Sequence, residues 1–323
     1  MIIPTLLILL TTVFFLMHVI PGDPVRIMFG EEMPEDAIEE MRHQLGLDRP
    51  IYIQYVDYMT KFFRGDLGVS WLFKVPVIHK VKEVYPTTLE IAIGGLILAA
   101  SMGVPIGILA ALKRGTKIDH TIRILTLYLY SNPGFWLALL LQLLFGVLLG
   151  LLPISGRSPV TSTLHRVTGL LIIDSIIALD FRAFIENLRY LILPCLTIGI
   201  TSIPMLSRLS RAAMLNELGE DYIITARAKG LPERVVVYKH ALRNATLPII
   251  TSLGGTFIGL LGGTVITEKI FSLPGLGRLL LESLTGRDFD MIQGVVGVYA
   301  VIVVLLNTIV DLIYASADPR VKF

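Results

Sequence analysis

Runs of apolar side chains long enough to cross a bilayer decide what this chain can fold into. About 20 such residues make one helical span, because in lipid every backbone N–H and C=O must be paired within the segment. Five such runs are clear and a sixth begins abruptly at the start of the chain. They cover roughly Ile2–Ile20, Leu89–Leu112, Ile124–Leu152, Tyr190–Leu206, Leu247–Thr267 and Gly294–Ala315. Only 17% of the 323 residues are charged and 54% are hydrophobic, whereas a soluble domain is about a quarter charged. The expectation is an all-α integral membrane protein with six transmembrane helices, taken as one transmembrane domain over residues 1–323.

A signal peptide is a poor reading of the first run, since no small-residue cleavage site follows it. It ends instead in HVIPGDP, where Pro21, Gly22 and Pro24 make a rigid exit turn. No basic residues precede the run, so the true start is expected upstream. Orientation follows from Lys and Arg in short loops. The connection KRGTKIDHTIR carries Lys113, Arg114, Lys117 and Arg123 against Asp119 alone, which makes it cytoplasmic. Six spans then put both termini inside, together with a polar island at Asp221–Pro248 that is itself rich in Arg and Lys.

The external side receives residues 21–86, acid-rich around EEMPEDAIEEMRHQLG. There Ile38, Met41 and Leu45 share one face of a short helix that Gly46 can end. A folded external cap and a merely solvated acidic loop both fit this pattern. A second external segment, Ser155 to Arg189, holds GLLIIDSIIALDF. It is too short, and with Asp174 and Asp180 too charged, to span the bilayer; a packed or re-entrant external helix is expected.

Searches for catalytic chemistry find nothing. A GxxxxGK[ST] phosphate loop and a GxSxG nucleophile turn are both missing, and His18, His43, His79, His120, His165 and His240 are scattered without metal-ligand spacing. The lone cysteine, Cys195, lies in LILPCLTIGI as a small packed side chain. The glycines of SLGGTFIGLLGG fit close helix packing through Gly255 and Gly259. The net charge of +2 gives no nucleic-acid signal.

The island itself reads as two short helices meeting at a glycine. Glu220 and Asp221 suit a helix N-terminus, Lys229 the last turn, and Gly230 a left-handed cap before Leu231 and Pro232. Val235, Tyr238 and Leu242 are then expected on one face of the second helix. A DNA-binding helix-turn-helix does not suit a segment tethered to membrane spans at both ends. A surface for a soluble cytoplasmic protein remains.

At TARAKGL and HALRNATLP the chain resembles the membrane-spanning permease subunits of ABC importers, specifically the dipeptide and oligopeptide branch. Those residues are similar to the branch's cytoplasmic EAA loop, placed here at residues 215–246. Ile224 and Thr225 stand where the general pattern has Glu and Ala, while Ala226 and Gly230 match. The likeness extends through VIPGDP, LGLDRP, RGDLGVS, PTTLEIA, SNPGFWLALL, SGR, FSLPGLGRLL, RDFDMIQG and the closing DPRVKF.

The resemblance implies a permease subunit of an ATP-driven peptide importer in a prokaryotic inner membrane, with no catalytic residue, metal or cofactor of its own. ATP and Mg would sit on two partner ATPase subunits; the other partners would be a second related permease and an extracytoplasmic solute-binding protein. Oligosaccharide or nickel-chelate import in the same architecture and a passive channel are the alternatives. The ATPase-coupling surface would comprise Asp221, Tyr222, Thr225, Ala226, Arg227, Ala228, Lys229, Gly230, Leu231 and Arg234. Asn132, Gln142, Thr201, Ser202 and Asn307 are candidate pathway groups, with Thr251, Ser252 and Asp311 beside them; helix-to-helix glue is the alternative for each.

Overall fold

The computed structural model describes residues 2–19, 25–26, 34–44, 46–159, 164 and 167–317. The exit turn at Pro21, Gly22 and Pro24, Leu45, His165 and the closing DPRVKF segment lie outside the described residues. Within them the regular elements are helices, with one isolated antiparallel bridge between Val69 and Pro76. In chain order they are α1 (Ile2–Val19), α2 (Glu35–Gln44), α3 (Ile51–Phe63), α4 (Val77–Leu112), α5 (Lys117–Ser131), α6 (Gly134–Leu148) and α7 (Leu171–Ile177). There follow α8 (Phe181–Leu218), α9 (Asp221–Ala228), α10 (Glu233–Ile270), α11 (Leu276–Thr285) and α12 (Phe289–Ala317).

Four of these helices, α4, α8, α10 and α12, are long and apolar enough to cross a membrane, and α5 with α6 makes a fifth if the bent pair is one span. The run Ile124–Leu152, expected as a single straight span, is broken. α5 and α6 meet at 93°, because Asn132 precedes Pro133 and is held extended at φ −90°, ψ 131°. The helices also run beyond the apolar runs read from the sequence. α8 and α10 each have 38 residues, about 57 Å at 1.5 Å per residue. That exceeds a hydrocarbon core of about 30 Å, so the polar ends of these helices extend beyond it.

By packing, the chain forms two compact units. Residues 1–86 and 275–305 make up the first. Val77, Val81 and Val84 lie on one face of α4 and bury against Leu276, Leu279, Met291 and Val295. Phe14 of α1 packs on the rings of Tyr55 and Tyr58 in α3, at 5.3 and 5.6 Å between centroids. Asp288 binds the Ser70 hydroxyl and the Leu72 amide, and caps α12 by accepting from Met291 N at 3.1 Å. The RGDLGVS and RDFDMIQG motifs are thereby held to each other.

The second unit comprises residues 87–274 and 306–323. A long close seam in it runs between α4 and α8. A Cβ on Gly107 would stand 2.3 Å from the Ser207 carbonyl oxygen, and one on Gly95 would stand 2.5 Å from Ile198. Small residues at Gly95, Ala99, Gly103 and Gly107, four apart, let the two backbones approach. At Gly255 and Gly259, where close packing is expected, no described residue beyond the helix's own turns comes within 4 Å of a Cβ position. One residue earlier, Gly254 does meet a neighbour, with Val310 2.3 Å from its Cβ position. The helix turns about 100° per residue, so adjacent glycines point to different sides.

Buried polar groups join the remaining motifs. Glu90 of PTTLEIA pairs with Arg157 of SGR at 2.8 Å, both side chains only 6% exposed, and also accepts from Ile172 N. Thr88 donates to buried Glu268 at 2.7 Å, and Gly156 N to Phe271 O at 2.9 Å. α7 packs as a short helix on α8, with Leu171, Asp174 and Ser175 buried and Asn187 bonded to Ser175. Asp180 caps α8 through Ala183 N.

The seam predicts a contrast. Gly107→Ala forces the two backbones apart and should lower stability by about 1–3 kcal/mol, the usual cost of overpacking. Gly259→Ala adds a methyl to open space and should leave stability within about 0.5 kcal/mol. Thermal denaturation of the detergent-purified variants, followed by size exclusion, reads both; equal midpoints would remove the seam argument.

Candidate functional site

The Asp221–Pro248 island folds as a corner whose geometry is set by one glycine. α9 begins with Asp221 in its first turn and ends at Ala228. Lys229 caps it, and Gly230 takes φ +74°. Leu231 N donates to Ala226 O and Gly230 N to Arg227 O at 2.9 Å, the paired bonds of a left-handed helix stop. Apart from its two chain neighbours, no described residue comes within 4 Å of a Cβ built on Gly230. The demand for glycine there comes from its backbone angle and not from crowding.

Beyond the stop, α10 starts at Glu233 and continues to Ile270 without a break. The corner is therefore the free end of a membrane-length helix. Arg227 donates to Glu233 across it from Nη2 and Nε, at 2.7 and 3.2 Å. That carboxylate raises the pKa of the Arg227 guanidinium. Tyr222 Oη donates to Glu217, and burial followed by this bond pushes its pKa up to about 12.

Ile223 and Ala226, one turn apart, are buried against Ala213 and Met214 of α8 and Val236, Val237, Ala241 and Ala245 of α10. Asp221, Tyr222, Thr225, Arg227, Ala228, Lys229, Gly230, Leu231 and Arg234 are exposed, as is Ile224 at 59%. The face expected from Val235, Tyr238 and Leu242 is not the packed one: Tyr238 is 62% exposed, and the other two are half-buried. Residues Val236–Ala241 form a π-helical turn. Such a turn pairs i with i+5, so burial steps by five from Val236 to Ala241 and then by the regular four through Ala245 and Ile249.

Sequence reasoning missed Ile223, the anchor of α9, and Glu233, the partner of Arg227. The alternation of Ile223 and Ala226 with polar residues was a signal for the first. No local pattern announces the second, because the positive φ at Gly230 brings the pair together.

The candidate pathway residues lie apart from this corner. Gln142 Nε2 donates to the Ile154 and Ile270 carbonyls at 2.7 and 3.3 Å. Asn132 Nδ2 bonds Tyr128 O at 2.6 Å. Thr201, Ser202, Thr251 and Ser252 each donate to a carbonyl of their own helix. Asn307 and Asp311 are exposed. Gln142 alone of the five pathway candidates bridges separate segments by the hydrogen bonds described.

Sequence comparison now identifies the family. The family described as binding-protein-dependent transport system inner membrane component matches residues 103–323, and the N-terminal family of the same system matches residues 1–92. This chain belongs to that family. The di/tripeptide transport system permease protein DppB of Pseudomonas aeruginosa is 40% identical over 323 residues, spanning 100% of this chain and 96% of the relative. The glutathione transport system permease protein GsiC of Salmonella choleraesuis is 37% identical over 321 residues, 99% of this chain and 96% of the relative. Inward-facing structures of the MetNI methionine ABC transporter share the fold, with a TM-score of 0.54 at 19% identity over 75% of this chain and 96% of that one. This inner-membrane component is thus a permease subunit by family, and its corner lies within the matched region.

A β-branched residue at Gly230 costs about 1–2 kcal/mol in the left-handed region. That shifts a local open-to-closed ratio by a factor of roughly 5–30. Gly230→Val should accordingly speed tryptic cleavage at Arg227, Lys229 and Arg234 of the purified protein by about that factor. An unchanged digestion rate would show that the cap does not hold the corner.

Proposed function

We propose that this permease subunit forms half of the translocation pathway of an ATP-driven importer of di- and oligopeptides. It would work with a second, related permease, two ATPase subunits and an extracytoplasmic solute-binding protein. ATP and Mg would be held by the ATPases; this chain has no phosphate loop. The peptide assignment rests on full-length relatives named for di- and tripeptides at 40% identity. In this arrangement α1 supplies the sixth span beside the five read from α4–α12, and both termini face the cytoplasm.

The observation that carries the mechanism is the anchored corner. α9 presents Asp221, Tyr222, Thr225, Arg227, Ala228 and Lys229 outward while Ile223 and Ala226 lock it to α8 and α10. A docked ATPase pushing on that face moves α10 as a lever, because the two helices share one apolar core and one ion pair. Closure of the ATPases on ATP then becomes a switch between outward and inward access without chemistry on this chain. A passive channel has no use for such a surface. Asn132, Gln142, Thr201, Ser202 and Asn307 are retained as pathway candidates, with Gln142 serving first to hold α6 against the ends of its neighbours.

Two measurements test the reading. In membranes, Gly230→Val should leave assembly with the second permease intact, weaken ATPase retention and abolish peptide uptake; unchanged uptake and retention would sink the coupling role. In cells whose permease has Cys195 replaced by Ala, cysteines at Glu39 and Ser158 should react with an impermeant reagent and one at Glu233 should not. Labelling of Glu233 from outside would reverse the orientation.

A further inference from the structure

In the orientation argued above, the cytoplasmic side of the second unit holds a concavity whose lining includes no residue of the Asp221–Pro248 corner. Between α5 and the later turns of α8 is a cavity of about 440 Å³, lined toward one end by His120, Arg123, Arg208 and Arg211. No acidic side chain lines it. Arg211 is already neutralised: its Nε and Nη2 bind the two oxygens of Asp119 at 2.9 and 2.8 Å, and that carboxylate is buried. Arg123 and Arg208 are exposed, and among the described residues neither is placed in an ion pair. The contact described for Arg208 is to the Met205 sulfur at 3.2 Å.

Further along both helices the lining is apolar. Leu127 and Ile124 are 65% and 67% exposed, and Tyr130 and Met205 continue the surface along the helices. Exposed Lys113 and Arg114 stand just before α5, and exposed Lys117 is its first residue. Two guanidinium groups with no carboxylate at bonding distance, Arg123 acting on Asp119 only from further off, stand at one end of a greasy groove and match one class of occupant, with a phosphate at one end and hydrocarbon at the other. Arginine forks bind phosphate oxygens in pairs, and basic pockets between membrane helices on the cytoplasmic side bind anionic head groups.

We propose that this groove is a binding site for an anionic phospholipid, its phosphate held by Arg123 and Arg208 and its acyl chain lying along Ile124, Leu127 and Tyr130. The leaflet rests on the orientation argued above; the site does not rest on the transported solute. Filling the groove would tie α5 to α8 by a ligand drawn from the membrane itself.

The test uses the assembled transporter in nanodiscs of phosphatidylcholine and phosphatidylglycerol. Native mass spectrometry then reads which lipid stays bound after release into detergent. Wild type should retain phosphatidylglycerol over phosphatidylcholine. Arg123→Gln with Arg208→Gln should cut that preference roughly thirtyfold, at the attraction each membrane-surface cation contributes. Arg123→Lys with Arg208→Lys, which keeps the charge, should preserve most of it and rules out misfolding as the cause. Inorganic phosphate and dialanine should not displace the lipid. Equal retention of both lipids, insensitivity to the Gln pair, or displacement by phosphate or dialanine would each overturn the proposal. Displacement by dialanine would place the groove on the solute's path instead. Failure of peptide uptake with lipid retention intact would overturn the peptide assignment and leave this site standing.

Discussion

Where α4 crosses α8, one backbone comes close enough to another that a single methyl has no room. Gly107 faces the Ser207 carbonyl, and Gly95 and Gly199 face each other's helices. In lipid there is no water to expel between two apolar helices, so contact area and close approach must hold them together. Glycines spaced four apart supply that approach. The buried polar groups work within the frame this seam sets: Glu90 reaches Arg157, and Thr88 reaches Glu268, each from α4. A buried charge with a partner is tolerable, whereas removing one partner typically costs about 3–5 kcal/mol.

The corner depends on the same economy of contacts at a different place. Its polar face is exposed, and its position is set by two apolar side chains, Ile223 and Ala226, pressed into the end of the α8–α10 packing. The π-helical turn at Val236–Ala241 lets Val236 and Ala241 both face inward although they are five residues apart. A regular helix would turn one of them away. Arg227 and Glu233 then bridge the bend from its exposed side, where an ion pair contributes little stability but opposes splaying of the two helices.

Much of this was legible in the linear chain. The helical class followed from run length, since a bilayer admits few other solutions for a single chain of this hydropathy. Gly230 was legible because a helix stop before Leu-Pro has few ways to end. Misplaced features share a cause. A glycine pattern shows where close packing can occur but not which face meets a neighbour, which is why Gly255 and Gly259 were preferred to Gly95, Gly103 and Gly107. A face drawn at spacings of three and four presumes a regular helix, and the π turn at Val236 broke that presumption. Ile124–Leu152 looked continuous because Pro133 is one residue in a long apolar run, yet it turns the chain through 93°.

The sequence by itself determined the membrane class, the polar island and its glycine, because these depend on local composition and on backbone angles one residue wide. Tertiary structure alone decided which motifs pair. Glu90 lies 67 residues from Arg157, and Thr88 lies 180 from Glu268. Burying a charge in an apolar setting is affordable only beside its complement, and nothing short of the folded chain tells which complement arrives there.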